Sequence, residues 1–208
     1  MTPMQTLNLH SIAYPVTALG PGQRLVVWVS GCSLNCKGCI SPELQPAESG
    51  KAVKIDTLVK HFLELPVSLD GITLSGGEPF EQPQALTALL IELKKARPNW
   101  NVLAFSGYPL EYLRRNADCQ KLLAEVDILV DNPYLQHAEG EHPLTASKNQ
   151  QVHYLTPRGA GLREACEALT VNQANLAVGI SPTQRLVGII RPTERQQIHQ
   201  NLGLTRPL

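Results

Sequence analysis

Three of the chain's five cysteines, Cys32, Cys36 and Cys39, fall within eight residues, spaced C-x3-C-x2-C. Thiolates this close together wrap around a soft metal centre. Two kinds of centre are open. A structural zinc ion takes four ligands, so it would need a fourth from elsewhere in the chain. An iron–sulfur cube is usually held by four cysteines; held by three, it keeps one iron free to bind and activate a small molecule. A second group with chemical promise is Ser75-Gly76-Gly77-Glu78-Pro79, directly after the apolar run Gly71-Ile72-Thr73-Leu74. Glycines let a backbone approach a ligand closely. The Glu78 carboxylate supplies the acceptor that an ammonium group needs. In isolation such a stretch reads as a turn; following a strand and the cysteine triplet, it reads as part of a site.

Together these two stretches resemble the cluster loop and the GGEP element of the radical S-adenosylmethionine (SAM) superfamily. The resemblance implies a [4Fe-4S] cluster held by Cys32, Cys36 and Cys39, with the open iron chelating SAM. It implies reductive cleavage of SAM to a 5′-deoxyadenosyl radical, with the methionyl amine held by Gly76, Gly77, Glu78 and Pro79. Three further stretches narrow it. Phe105-Ser106-Gly107-Tyr108-Pro109-Leu110-Glu111 is similar to the T-G-Y-x-x-E of anaerobic ribonucleotide reductase activating proteins. Val126-Asp127-Ile128-Leu129-Val130-Asp131-Asn132-Pro133-Tyr134 is similar to their V-D-x-L-V-D-G-x-F, with Asn132 in place of the glycine. Thr145-Ala146-Ser147-Lys148-Asn149-Gln150-Gln151 is a weaker echo of their R-G-S-x-N-Q, without its arginine. Gly20-Pro21-Gly22-Gln23-Arg24 is similar to a G-P-G-x-R ahead of the first strand of glycyl-radical-enzyme activases, although a turn feeding a strand explains it equally well. Gly38 before the third cysteine, where many superfamily members have an aromatic residue, is tolerated in the activating-protein branch. The resemblance also points to Ser106 and Asp131 as polar residues around the SAM ribose or carboxylate. It implies a glycyl radical enzyme, or another protein or peptide, as substrate, and a flavodoxin- or ferredoxin-type electron donor. No catalytic group beyond the cluster and SAM is called for, because the cofactor carries the hard chemistry.

The elements around these residues alternate. Leu7–Tyr14 suits an edge strand, and Leu25–Val29 is a continuous β-branched run of the kind buried on both faces of a parallel sheet. Residues 41–54 read as a loop. A helix capped by Asp56 buries Leu58, Val59, Phe62 and Leu63; a second, opening at Pro83, buries Leu86, Leu89, Leu90 and Leu93. Strands at 71–74, 101–105 and 128–130 and helices at 109–116 and 118–125 complete the pattern. Strand–helix alternation calls for a parallel sheet with ligands at the carboxyl ends of its strands. The expected fold is α/β, a partial (β/α) barrel of the radical SAM type over residues 1–158, with a small β-rich extension over 159–208 packed on it. In that extension Arg158–Gly161 reads as a hinge. Ala168–Val171, Asn175–Ile180 and Arg185–Ile190 read as short strands, and Thr193 as the cap of a last helix.

Composition sets the outer limits. Across 208 residues, 18 basic and 18 acidic side chains cancel, so no charge excess points to nucleic acid. No apolar run is long enough for a membrane span, and the first residues lack a signal-peptide pattern. The expected setting is cytoplasmic and anaerobic, since an open iron is oxygen-sensitive. Cys119 and Cys166 read as ordinary buried thiols, and His137 and His142 as part of a solvated loop. Two rivals to a glycyl-radical-enzyme activase stand. One is a pathway-specific radical SAM enzyme acting on another peptide or small molecule. The other is a non-enzymatic iron–sulfur or zinc module.

Overall fold

A computed structural model describes residues 5–138, 140–170, 174–179 and 184–189. Its centre is four parallel strands in the order β6-β5-β4-β2: β2 (Arg24–Val29), β4 (Gly71–Gly76), β5 (Asn101–Phe105) and β6 (Ile128–Asp131). Antiparallel strands flank them. β1 (Thr6–Val16) pairs with β2 on one side, and β7 (Gln151–Tyr154) pairs with β6 on the other. β3 (Lys51–Lys54) pairs along the start of β1. Beyond β1, the hairpin β8 (Ala174–Gly179) and β9 (Gln184–Gly188) extends the sheet, with Ala13 opposite Gly179 and Tyr14 opposite Val178. Among the described residues this makes one mixed sheet of nine strands.

Alternation along the strands sorts their side chains to two faces. On one face Leu25, Val27, Val29, Ile72, Leu74, Val102 and Ala104 meet the helices α1 (Ile55–Leu63), α2 (Pro83–Ala96), α3 (Leu110–Leu113) and α4 (Ala117–Leu123). Leu86, Leu89, Leu90 and Leu93 of α2 are all buried there, each worth about 1.5–3 kcal/mol of transfer free energy. On the other face two smaller clusters form. Ala13, Val16, Leu19 and Val26 pack with Ala177 and Val187 of the hairpin. Leu103, Ile128 and Val130 pack with Leu144 and Cys166, the latter on α6 (Arg163–Glu167) after the short α5 (Pro157–Gly161).

Several sequence expectations shift in the structure. The segment read as a loop contains β3, whose exposed Lys51, Ala52 and Lys54 hide the strand pattern. Helix α1 starts one residue before Asp56; Lys54 is its N-cap without a side-chain cap bond, and Asp56 lies in the first turn. The expected hinge at Arg158–Gly161 lies in α5, opened by Thr156, whose hydroxyl accepts from the Gly159 N–H at 3.0 Å. Residues 168–170 are no strand: Ala168 caps α6. The expected strands at 175–180 and 185–190 correspond to β8 and β9. The expected helix from Thr193 lies outside the described residues. None of the described helices is long and apolar enough to cross a membrane.

Candidate functional site

The carboxyl ends of β2, β4 and β5 open onto a cavity of about 600 Å3, and Cys32, Cys36, Cys39, Gly76, Gly77, Glu78, Pro79 and Ser106 all line it. The cysteine loop leaves β2 at Ser30. Its start is pinned where Gly31 and Cys32 donate backbone N–H bonds to the carbonyls of Leu44 and Gln45. Asn35 and Gly38 turn the loop with positive φ values of 47° and 72°. The three thiols are half-buried. Burial pushes the Cys32 thiol up to about 11, against a bond from the Leu34 backbone that lowers it; burial raises Cys39 likewise. A metal centre must therefore displace protons as it binds. Among the described residues no three His, Cys, Asp or Glu side chains converge on a single ion position. Three thiols on one cavity wall can hold a polynuclear guest, each iron taking one thiolate.

The turn after β4 lies against this loop. Gly77 and Glu78 donate N–H bonds of 2.8 Å to the carbonyls of Val29 and Gly31. A Cβ at Gly76, whose φ is +116°, would strike the Val29 backbone, and one at Gly77 would strike the Gly31 carbonyl. The glycines are thus required first for contact between two loops. Glu78 is 1% exposed. Its Oε1 accepts from the Phe80 N–H at 2.9 Å and the Ser106 hydroxyl at 3.0 Å, and its Oε2 from the Gly107 N–H at 2.7 Å. Burial nevertheless pushes its carboxyl up to about 7, the three hydrogen bonds offsetting part of the shift. Its hydrogen bonds aim the group, and its desolvation leaves it short of a positive charge.

Ser106 thus serves Glu78 directly, and its oxygen also accepts from the Tyr108 N–H at 3.0 Å. Asp131 is placed away from the cavity lining. Its Oδ2 accepts from the Leu110 N–H at 2.7 Å and its Oδ1 from the Asn132 side chain at 2.8 Å. His153 Nε2 stands 3.1 Å from Oδ1, at ion-pair distance but off hydrogen-bond geometry. The echo at 145–151 proves to be a clasp. Gln150 accepts from the Ala146 and Ser147 N–H groups and donates to the Asn132 carbonyl, while Ala146, Gln150 and Tyr134 reach the cavity wall. Two supporting residues had no sequence signal, because their partners lie far along the chain. Gln82 bridges β1 and β2 through Asn8 and the Ser30 carbonyl, and Glu81 holds Ser33. The far wall of the cavity includes Trp28, Phe105 and Leu144, with Val187, Gly188 and Ile189 from the hairpin end of the chain.

A cavity with three thiols on one wall and a buried carboxylate beside a glycine turn could hold a metal cluster next to a small cation. Residues 18–153 match the family described as a 4Fe-4S single cluster domain. The chain is similar to the anaerobic ribonucleoside-triphosphate reductase-activating protein of Escherichia coli (strain K12), 31% identical over 72% of this chain and 99% of that protein. The protein of the same name from Enterobacteria phage T4 is 29% identical over 64% of this chain and 85% of its own. The pyruvate formate-lyase-activating enzyme of Staphylococcus aureus (strain USA300) is 36% identical over 42% of this chain and 37% of its own. The chain belongs to this 4Fe-4S single cluster domain family of radical SAM enzymes, and its cofactors are a [4Fe-4S] cluster and SAM.

Proposed function

We propose that this chain activates a glycyl radical enzyme of the anaerobic ribonucleotide reductase kind. In this reading the thiols of Cys32, Cys36 and Cys39 hold the cluster. Gly76, Gly77, Glu78 and Pro79 seat the methionyl amine of SAM, with Glu78 held by Ser106. The single observation that carries the reading is the shared cavity, where the three thiols and the buried Glu78 carboxylate line one space. When bound, the cluster and SAM supply reductive cleavage and a 5′-deoxyadenosyl radical. The chain's own residues do the rest. Glu78 orients a cation, the glycine turn keeps two loops in contact, and the apolar wall of Trp28, Phe105 and Leu144 excludes water. A flavodoxin- or ferredoxin-type protein supplies the electron. The test is anaerobic reconstitution. The expected product is brown, holds four irons per chain, and changes its reduced EPR spectrum on adding SAM. With the cognate reductase it should raise a glycyl radical signal. A colourless, zinc-binding product would end the proposal.

Glu78→Gln should keep the cluster while SAM affinity falls about tenfold to a hundredfold, as expected for a charge-assisted hydrogen bond of roughly 1.5–3 kcal/mol. The pH dependence follows from the raised carboxyl. Its folded value of about 7 exceeds the ordinary 4.5. Its contribution to the stability of the ligand-free chain is therefore complete below the ordinary value and lost as pH rises through about 7. An ammonium ligand prefers the ionised form, so SAM affinity should weaken as pH drops below about 7, by up to about tenfold per unit. Titration calorimetry of wild type and Glu78→Gln at pH 6 and 8 checks this; equal pH slopes would place Glu78 outside the amine seat.

The finer architecture belongs to the same reading: a partial (β/α) barrel over residues 1–158 and a C-terminal extension over 159–208 packed on it. The parallel run β2-β4-β5-β6 and the pairing of β8 with β1 support it. A chain ending at Pro157 loses Cys166, Ala177 and Val187 from two clusters. It should melt lower and retain less iron than the full chain. An iron-replete truncation with an unchanged thermal midpoint would make the extension a docking module. The hairpin wall at Val187–Ile189 lies beyond the matched residues 18–153. It favours, as a second reading, a pathway-specific radical SAM enzyme acting on another peptide or small molecule.

A further inference from the structure

The cysteine loop is pinned at its start by Leu44 and Gln45, but Ser33, directly after the first cysteine, is held by the Glu81 carboxylate, with the Tyr108 hydroxyl 3.2 Å from its own. Glu81 accepts the Ser33 N–H at 3.0 Å through Oε1 and at 3.3 Å through Oε2. Its Oε1 also accepts the Ser33 hydroxyl at 2.5 Å and the Tyr108 hydroxyl at 3.0 Å. Tyr108 in turn lies flat on Tyr112, ring centres 4.7 Å apart. Glu81 ends the 3-10 turn Pro79–Glu81 that Glu78 opens, and its own N–H bonds the Glu78 carbonyl at 3.1 Å. One short turn thus carries two carboxylates with separate duties. Glu78 grips Ser106 and Gly107; Glu81 grips Ser33 and Tyr108. Both reach the segment after β5; the Glu78 N–H also bonds the Gly31 carbonyl at the start of the cysteine loop, and further along the loop a shift of Ser33 relative to the turn must break the Glu81 contacts. Glu81 is exposed and belongs to none of the three apolar clusters, so its bonds fix the loop and do little for the core.

We propose that Glu81 is a positioning residue that clasps the cysteine loop to the Gly76–Pro79 turn, setting where the cluster stands relative to the SAM amine seat. This rests on the reading of the site as a cluster and SAM pocket. Its negative charge, beside Cys32, also makes adding an electron to the cluster harder.

The experiment uses the full chain, metal-free and reconstituted. In the metal-free chain, hydrogen exchange at residues 31–37 should quicken about tenfold in Glu81→Ala and stay within about twofold of wild type in Glu81→Gln, which keeps an acceptor oxygen. Thermal midpoints should barely move. Tyr108→Phe, which removes one donor from the same carboxylate and a hydroxyl 3.2 Å from that of Ser33, should give an intermediate rate; Glu81→Asp, one methylene short of Ser33, should quicken exchange as Glu81→Ala does and decides the matter if Glu81→Ala does not fold. In the reconstituted protein, Glu81→Ala should need about tenfold more SAM to shift the reduced EPR spectrum, with Glu81→Gln near wild type. Both variants should show a more positive cluster potential. Unchanged exchange in Glu81→Ala overturns the clasp, as does exchange that quickens only together with global melting. A wild-type cluster whose spectrum ignores SAM would instead overturn the functional reading, and the metal-free exchange would still judge the clasp.

Discussion

Alanine at Cys36 is expected to remove both the site-differentiated cluster and SAM cleavage, while alanine at Cys119 removes neither. A cube on three thiolates has no spare ligand, and the remaining cysteines are out of position. Cys119 is buried on α4, its thiol donating to the Phe80 carbonyl at 3.6 Å on the helix-covered face. Cys166 is buried in the cluster under Leu103 and Val130. Neither lines the cavity. The Cys36 variant should bind at most residual iron after anaerobic reconstitution and form no 5′-deoxyadenosine with dithionite and SAM. Cys119→Ala should lose about 1 kcal/mol of packing and keep four irons. Wild-type cleavage by the Cys36 variant would sink the ligand assignment.

The largest effect on stability is expected at the opposite end of β2 from the cysteine loop. Arg24 has no exposed surface. Its Nε donates to the Thr73 hydroxyl at 2.5 Å, and Nη1 to the Asn101 side-chain oxygen at 2.6 Å and the Pro21 carbonyl at 3.0 Å. Nη2 donates to the Ile72 carbonyl at 2.6 Å. Burial pulls its guanidinium down to about 10 against the pull of Cys166, Asp70 and Asp127, so it stays charged at neutral pH. One side chain therefore ties β2, β4 and β5 together where the parallel strands begin. Methionine fills similar space but strands several buried acceptors, each costing about 1–3 kcal/mol. Arg24→Met should lose on the order of 3–5 kcal/mol, a large share of a typical 5–15 kcal/mol total. Urea unfolding of the metal-free chain measures it. A loss under about 1 kcal/mol would mean that water replaces the guanidinium contacts.

What the sequence made legible follows from the range of the interactions involved. The cysteine spacing, Gly76–Pro79 and the apolar runs of β2, β4, β5 and β6 are local patterns, and each lies where it was expected. Glu81 and Gln82 act across 48 to 74 residues of chain, and no local pattern reports such a contact. Asp131 shows the limit of reading a strand end. Its position at the end of β6 was legible, but which way its carboxylate turns depends on the Leu110 N–H of a different segment. β3 was hidden because an exposed, lysine-rich strand against β1 lacks the alternation that marks a half-buried one. Arg24 was visible only as the last letter of a turn motif, and its burial needed three strands to be in place first.

The hairpin wall has a consequence for how the cavity answers to dilution. A wall lent by a partner obeys mass action and departs as concentration falls. Val187, Gly188 and Ile189 are joined to the cysteine loop by peptide bonds, so their local concentration is fixed by the chain itself. That side of the cavity is therefore supplied by the same molecule before any encounter. A substrate that enters the cavity meets Val187, Gly188 and Ile189 at any protein concentration.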